Sequence, residues 1–253
     1  MRKVLVTQGK GGGPKTATAR NLAVAAAVAG QRVATLDTDP QGSLTYWHSR
    51  RPQEATPIEA DQMPLPRITG APVPIAGIDL LIIDTPTAVE FFPEATAILF
   101  DCADLVLVPV RPGPEDRVSM EGMMPYIRSR RRPTRLLLSQ TTRSRDTAEA
   151  RERIRDLGPV VPLEIPHLQE VPRTFTLGLG TAEISGTRIV GAAARAGGAT
   201  LIDADAGRLI VADGQVEVIP VVARLLKHAL TGGKDPEPGE AGAAGTGESL
   251  SAA

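Results

Sequence analysis

Apolar residues in the first two thirds of the chain fall into short unbroken runs separated by longer segments of helical composition. The runs cover residues 4–6, 31–36, 78–83, 103–110, 134–139 and 160–165. A strand buried on both faces of a parallel sheet gives such a run, whereas a half-exposed strand alternates. The intervening segments 16–29, 89–102 and 119–131 are predicted helices, and residues 50–77, with six prolines, are predicted loop with one edge strand. The order predicts an α/β fold with a mostly parallel, doubly wound sheet flanked by helices.

The first apolar run leads directly into the glycine-rich stretch Gly9-Lys10-Gly11-Gly12-Gly13-Pro14-Lys15-Thr16. Glycines let the backbone curl so that successive N–H groups point at an anion, and the following helix adds its positive N-terminal end. Lys15 would neutralise phosphate oxygens, and the Thr16 hydroxyl would ligate Mg²⁺. Pro14 stands where the general phosphate-loop pattern has its last glycine. On this stretch alone, an ordinary glycine-rich turn between strand and helix remains open.

Acidic residues close two other predicted strands. Asp37-Thr38-Asp39-Pro40 follows residues 31–36, and Asp84-Thr85-Pro86 follows residues 78–83. Because the carboxyl ends of adjacent parallel strands meet at one edge of a sheet, these carboxylates should lie beside the glycine-rich loop. Aspartate there can orient a water molecule or help to hold a metal shell. An Asx turn at Pro40 is the structural alternative for Asp37 and Asp39.

Together these segments resemble the ParA/MinD family of deviant Walker A ATPases. Lys10 stands five residues before Lys15, as the extra lysine of that family does. Residues 37–42 resemble its D-x-D-P-Q-G element, and residues 103–116 resemble its segment DLVLIPVxPSPxD. The resemblance covers about residues 2–140. It implies a P-loop NTPase fold, ATP and Mg²⁺ as cofactors, and an ATP-dependent homodimer in which Lys10 reaches the ATP of the partner.

The resemblance also implies roles for individual residues. The ATP-binding residues would be Gly11, Gly12, Gly13, Lys15, Thr16 and Ala17, with Pro109 and Pro112 bordering the adenine. Thr16 and Asp84 would hold the metal with Asp37 nearby. Lys10 and Lys15 would stabilise the phosphates during catalysis, and Asp39 would orient the attacking water. Hydrolysis is expected to be slow, because Pro14 has no N–H to offer a phosphate.

The function implied is partition: the protein would position plasmid or chromosomal DNA, or another cargo, with a ParB-like adaptor as activating partner. Residues 128–155 carry ten arginines against three acids, which suits non-specific contacts to DNA phosphates. A solvated helix face with ion pairs to Glu149, Glu152 and Asp156 is an equal alternative for this segment. The alternative function is a degenerate, non-hydrolysing scaffold that keeps the fold and the dimer face.

Composition mainly excludes other classes. The chain has 28 basic and 29 acidic residues, so its net charge implies no partner. The single cysteine, Cys102, excludes a disulfide scaffold and the paired cysteines of an iron–sulfur relative. The single cysteine also fits the reducing environment of the cytoplasm, where the protein is expected to lie. No apolar stretch is long enough to span a membrane. Residues 1–230 are predicted to form the ATPase domain, with Arg173 in a loop near the dimer face and a closing helix at 216–230. The tail 231–253 is predicted to be disordered and lacks the basic amphipathic helix of a MinD-like membrane role.

Overall fold

The computed structural model describes residues 1–142, 144–168, 170–183, 211–212 and 215–216. Seven parallel strands form one sheet in the order β3-β2-β4-β1-β5-β6-β7. They are β1 Arg2–Val6, β2 Val33–Asp37, β3 Glu59–Gln62, β4 Leu80–Asp84, β5 Leu105–Val110, β6 Thr134–Thr141 and β7 Val160–Pro166. The helices are α1 Lys15–Val28, α2 Ser43–Ser49, α3 Pro93–Cys102, α4 Pro114–Ser129, α5 Arg145–Arg155 and α6 Glu170–Thr176. Val211–Ala212 and Gln215–Val216 pair antiparallel as β8 and β9.

The predicted doubly wound sheet is confirmed, and it explains the unbroken apolar runs. Side chains of successive strand residues point to opposite faces. In β1, Val4 and Val6 belong to the apolar cluster that contains Ala23 of α1, whereas Leu5 belongs to the cluster that contains Leu99 of α3. Helices therefore cover both faces, and a central strand has no face on which polar residues are favoured. The predicted edge strand within residues 50–77 is β3, at the border of the sheet.

The largest difference in boundaries concerns α4, which was predicted to begin at residue 119. It begins at Pro114, because a proline at the first helical position has no N–H that needs an intrahelical partner. Glu115 and Asp116 follow in its first turn, where their charges are favourable near the positive end of the helix dipole. The loop after β5 is thus shorter than the prolines suggest, and both acids are fixed at the start of a helix.

The predicted loop position of Arg173 is wrong, because Arg173 lies in the short helix α6. Seven residues interrupted by Pro172 give no helical periodicity that sequence reasoning can detect. Tertiary contacts hold this helix: the buried Arg20 of α1 donates to the Thr174 hydroxyl at 2.5 Å and to the Val171 carbonyl at 2.6 Å. Burial lowers the pKa of Arg20 to about 10.

Residues 177–183, which follow α6, contact α1 and the region of α2 through hydrogen bonds, an ion pair and side-chain packing. The Trp47 indole N–H donates to the Leu179 carbonyl at 3.0 Å, and Arg51 forms an ion pair of 2.6 Å with Glu183. Both side chains of this pair are almost fully buried. Gly180 lies directly against Val24 of α1. These contacts hold residues 177–183 against the helix that begins at the glycine-rich loop.

Several expectations concern residues that the structure does not describe. Of the predicted closing helix at 216–230, only Val216 is described, in β9. The predicted tail 231–253 lies outside the described residues. Among the helices that are described, none combines the length and apolarity needed to cross a membrane.

Gly180→Ala should destabilise the protein, because its added Cβ would lie 2.6 Å from the Cβ of Val24. Overpacking of this kind costs about 1–3 kcal/mol in the free energy of unfolding, measurable by urea denaturation. The matched control is Gly70→Ala, whose Cβ meets no atom within 4 Å, and which should stay within about 0.5 kcal/mol of wild type. Equal midpoints for the two variants would mean that residues 177–183 do not pack on α1.

Candidate nucleotide-binding site

The sheet register brings the predicted site segments to one edge. Val6, the last residue of β1, lies opposite Asp84 of β4, and Asp84 lies opposite Asp37 of β2. The glycine-rich loop, the segment after Asp37 and the segment after Asp84 therefore leave the sheet side by side. This is the edge at which parallel α/β sheets bind ligands.

The glycine-rich loop needs glycine at two positions for different reasons. Gly12 has a φ of 69°, in the left-handed region that disfavours side chains. Gly13 has no room for a side chain, because an added Cβ would overlap the Oε1 atom of the fully buried Gln8. Sequence reasoning missed Gln8, since a polar residue next to glycines gave no sign that it would be buried beneath the loop.

Pro14 fits the start of α1 without strain. Its φ is −79°, and its carbonyl accepts a hydrogen bond of 2.8 Å from the N–H of Thr18. The helix then begins at Lys15, and the N–H groups of its first turn, including Thr16 and Ala17, have no intrahelical acceptor. Pro14 therefore does not disturb the start of α1. Its only effect on the loop is that one N–H, which another residue would offer to a bound anion, is absent.

The ammonium of Lys15 is buried at the centre of the site. Its Nζ donates to the Thr87 hydroxyl at 3.2 Å and to the Lys10 carbonyl at 3.4 Å. Burial lowers the pKa of Lys15, against the attraction of Asp84 and Asp39. Because both hydrogen-bond partners are neutral, the charge of Lys15 is suited to an anionic ligand. Thr87, directly after the predicted β4 element, was not among the expected site residues.

Thr16 and Asp84 form the closest polar contact of the site. The Thr16 hydroxyl donates to Oδ2 of Asp84 at 2.6 Å, while Oδ1 of Asp84 is buried without a hydrogen-bond partner in the described chain. The pKa of Asp84 is raised to about 7, mainly by burial and also by the nearby charge of Asp37, against the lowering effect of the hydrogen bond from Thr16. A hydroxyl beside a carboxylate with a free oxygen fits Mg²⁺, which prefers oxygen ligands and takes few of them from protein.

The two aspartates after β2 hold their own loop. The Asp37 carboxylate accepts hydrogen bonds from the N–H groups of Asp39 at 3.0 Å and Thr45 at 2.9 Å, which fastens the start of α2. Burial raises the pKa of Asp37, and these N–H groups oppose the rise. Asp39 is partly exposed and accepts from the Gln41 N–H at 2.9 Å, so the Asx turn named as the structural alternative is present. The metal role of Asp37 and the water-orienting role of Asp39 stay predictions.

Lys10 is held on the opposite side of the loop by acids of α4. Its Nζ lies 2.9 Å from Oε2 of Glu115 and 3.3 Å from Oδ1 of Asp116. Asp116 is buried and also accepts from Arg111 at 2.8 Å and from the Gln8 amide at 3.1 Å. Burial opposes ionisation of Asp116, but the hydrogen bonds from Arg111 outweigh it and lower the pKa to about 2. We call Lys10, Arg111, Glu115 and Asp116 the Lys10 cluster.

An apolar cavity of about 570 Å³ adjoins the start of α1. Its lining includes Thr16 and Ala17 of α1, Ser139 and Gln140 near the end of β6, and Pro166 at the end of β7. The Ser139 hydroxyl is buried without a partner among the described residues. Pro109 and Pro112, the expected adenine neighbours, do not line this cavity. Pro109 lies within β5, paired with Leu137, and Pro112 lies between β5 and α4.

The side chains of five of the ten arginines between residues 128 and 155 bind partners beyond their chain neighbours within the described part of the protein. Arg153 pairs with Glu149 at 2.9 Å and Arg155 with Glu152 at 3.0 Å along α5. Arg151 forms an ion pair with Glu164, and Arg130 forms one with Asp101. Arg128 donates a hydrogen bond to the Leu157 carbonyl. These contacts favour the solvated-face interpretation for α5. In contrast, Arg131 and Arg132 are exposed in the turn between α4 and β6, and no ion pair within the described part of the chain involves them.

A parallel sheet with a glycine-rich loop, a buried lysine and a Thr–Asp pair at its carboxyl edge defines the P-loop NTPase class. The chain belongs to the family of the CobQ/CobB/MinD/ParA nucleotide-binding domain, whose model matches residues 4–210. The resemblance to ParA/MinD proteins inferred from the sequence is thereby confirmed.

Individual relatives agree with this family. The chain is 39% identical over 115 residues to the maintenance of carboxysome distribution protein A of Gloeobacter kilaueensis, which covers 46% of this chain and 51% of the relative. The match thus spans about half the length of that curated relative. In fold, the chain resembles the MinC:MinD cell division complex of Aquifex aeolicus, with a TM-score of 0.59, 15% identity and coverage of 80% and 99%. A McdA variant of Cyanothece in complex with ATP gives a TM-score of 0.57, 14% identity and the same coverage.

Asp84→Asn should stabilise the metal-free and nucleotide-free protein more at pH 8 than at pH 5. Because the pKa of Asp84 is raised to about 7 in the folded state, its contribution to stability is fully present below about pH 4 and is lost as the pH rises through 7. Asparagine still accepts from Thr16 but has no charge to bury. Thermal unfolding of both proteins in EDTA checks this, and a melting-temperature difference that does not change with pH would contradict it.

Proposed function

We propose that this protein is a ParA-like ATPase that forms an Mg·ATP-dependent homodimer and positions DNA or another cargo. The observation that carries the proposal is the Thr16–Asp84 contact of 2.6 Å beside the buried ammonium of Lys15, at the carboxyl edge of a parallel sheet. A curated relative that maintains carboxysome distribution supports a positioning role.

In this proposal the phosphates bind to the backbone of residues 11–17. The N–H groups of the first turn of α1 and the Lys15 ammonium supply positive charge, and the buried site strengthens their attraction for an anion. Thr16 and the free oxygen of Asp84 would hold Mg²⁺, which supplies charge neutralisation to the phosphate oxygens. Asp37 supports the metal site by fixing α2 beside it.

Hydrolysis is proposed as in-line attack of water on the γ-phosphate, with catalysis by positioning and charge. Asp39 is the water-orienting residue, because it is partly exposed at the mouth of the site and close enough to influence the pKa of Lys15. Lys10 would add a second positive charge to the ATP of the partner protomer. This role needs the side chain to leave Glu115 and Asp116.

The base is proposed to enter the cavity beside Thr16 and Ala17. The volume and apolar lining of this cavity suit a planar heterocycle, and Gln140 and Ser139 supply hydrogen-bonding groups. Because Pro109 and Pro112 do not line the cavity, they would act through the strand and loop that they shape. In this proposal the adenine base is bordered by the end of β6 and not, as first expected, by the loop after β5.

Non-specific DNA is the proposed surface along which the dimer distributes its cargo, and a ParB-like adaptor is the proposed activator. Arg131 and Arg132 are the best candidates for DNA contacts, because both are exposed and unpaired within the described residues. The paired arginines of α5 are weaker candidates, since each would have to leave a carboxylate first.

ATP turnover measured with and without random duplex DNA tests this function. DNA binding should fall steeply with salt, because contacts to phosphates release counterions. The variant Arg131→Ala, Arg132→Ala should reduce the slope of log K against log salt by about two for each DNA-bound protomer, whereas the control Arg153→Ala should change it by less than one for each protomer. No nucleotide turnover and no DNA binding at low salt would contradict the proposal.

A non-hydrolysing scaffold is the second candidate, and Pro14 is the observation that favours it. Pro14→Gly should tighten ATP binding by about ten- to a hundredfold, because it restores one N–H toward a charged phosphate, a hydrogen bond of roughly 1.5–3 kcal/mol. The added freedom of glycine opposes this by only about 0.4–1 kcal/mol. Calorimetric titration with Mg·ATP makes the measurement. Equal or weaker affinity of the variant would favour the scaffold over the ATPase.

A further inference from the structure

The side chain of Lys10 is neutralised inside its own chain. Its ammonium lies 2.9 Å from Glu115 and 3.3 Å from Asp116, and the hydrogen bond to Glu115 raises its pKa. The same contact lowers the pKa of Glu115. Lysine carries three donors on a flexible stem, so this side chain can exchange partners without movement of the loop backbone.

The two acids of the Lys10 cluster differ in exposure and in the number of their partners. The Asp116 side chain is 2% exposed and is fixed by a bidentate contact to Arg111 and by the Gln8 amide. The Glu115 side chain is 81% exposed, and among the described residues its ion pair is with Lys10. Asp116 is therefore held in place by its other contacts, whereas Glu115 can separate from Lys10 without breaking another contact described above.

The cluster also balances its charge only while Lys10 stays in place. Lys10 and Arg111 neutralise Glu115 and Asp116 in the monomer. When Lys10 turns toward an anion on a second protomer, one negative charge remains uncompensated at the start of α4. A second copy must therefore supply enough negative charge near Lys10 to replace both carboxylates.

We propose that Glu115 and Asp116 are positioning residues that hold Lys10 within its own chain, and that release of Lys10 sets the ATP concentration at which the protein dimerises. This inference rests on the proposed ATP-dependent dimer. It adds that Glu115 opposes dimerisation, although it lies beside the residue that promotes it.

The contact itself can be tested without nucleotide. In the full-length protein, limited acetylation followed by mass spectrometry reports how reactive each lysine amine is. Glu115→Gln should raise the reactivity of Lys10 relative to Lys3 by about two- to fivefold, the range expected for loss of an exposed ion pair. The control Glu121→Gln removes another carboxylate of α4, paired with Arg117, and should leave Lys10 unchanged. Equal reactivity in all three proteins would overturn the proposed contact.

Sedimentation with a non-hydrolysable ATP analogue tests the consequence. Glu115→Gln should form the dimer at an analogue concentration about two- to fivefold lower than wild type, and Glu121→Gln should match wild type. If Glu115→Gln dimerises at the same or a higher analogue concentration than wild type, the proposed role of Glu115 is overturned, while the proposed function is not. Absence of a nucleotide-dependent dimer in every protein would overturn the proposed function, and this inference with it.

Discussion

The parallel register of β1 with β4 is the constraint on which the site depends. It places the end of the first strand opposite Asp84, so the loop that follows β1 starts beside a carboxylate contributed by a residue far along the chain. The Thr16 hydroxyl then meets Asp84 at 2.6 Å, which ties α1 to the centre of the sheet. A slip of one residue would turn Asp84 to the other face of the sheet and remove the contact.

Burial of charge is the second feature of this edge. Lys15 and Asp84 are both buried, and burial disfavours the charged form of each: it lowers the pKa of Lys15 and raises that of Asp84 to about 7. A phosphate near Lys15 and a cation near Asp84 would each reverse the effect. The ligand-free site therefore favours a ligand that brings a negative charge to Lys15 and a positive charge to Asp84. A nucleotide with a bound metal ion carries both of these charges.

The segment after β7 connects this edge to the remainder of the domain. Arg20 lies one turn beyond Thr16 on α1 and binds the backbone of α6, while Trp47 of α2 and Arg51, just after α2, bind residues 178–183. The helix that begins at the phosphate loop and the helix fixed by Asp37 are therefore held by the same segment.

The sequence by itself determined the strands, the class of fold and the segments that form the site. Buried parallel strands require unbroken apolar runs, and the glycine-rich loop, Asp37-x-Asp39 and Asp84 each stand at the end of such a run, so local pattern was sufficient. Gln8, Thr87, Arg111, Glu115 and Asp116 could not be recognised in this way. Except for the local contact of Arg111 with Asp116, their roles depend on contacts over long sequence distances, such as that of Gln8 with Asp116 and that of Lys15 with Thr87. For the arginines of α5, the sequence left DNA contact and a solvated face as equal alternatives, because it does not show which carboxylates lie beside them. Only the tertiary structure decides which charges are paired, because a charge is neutralised by what lies near it in space.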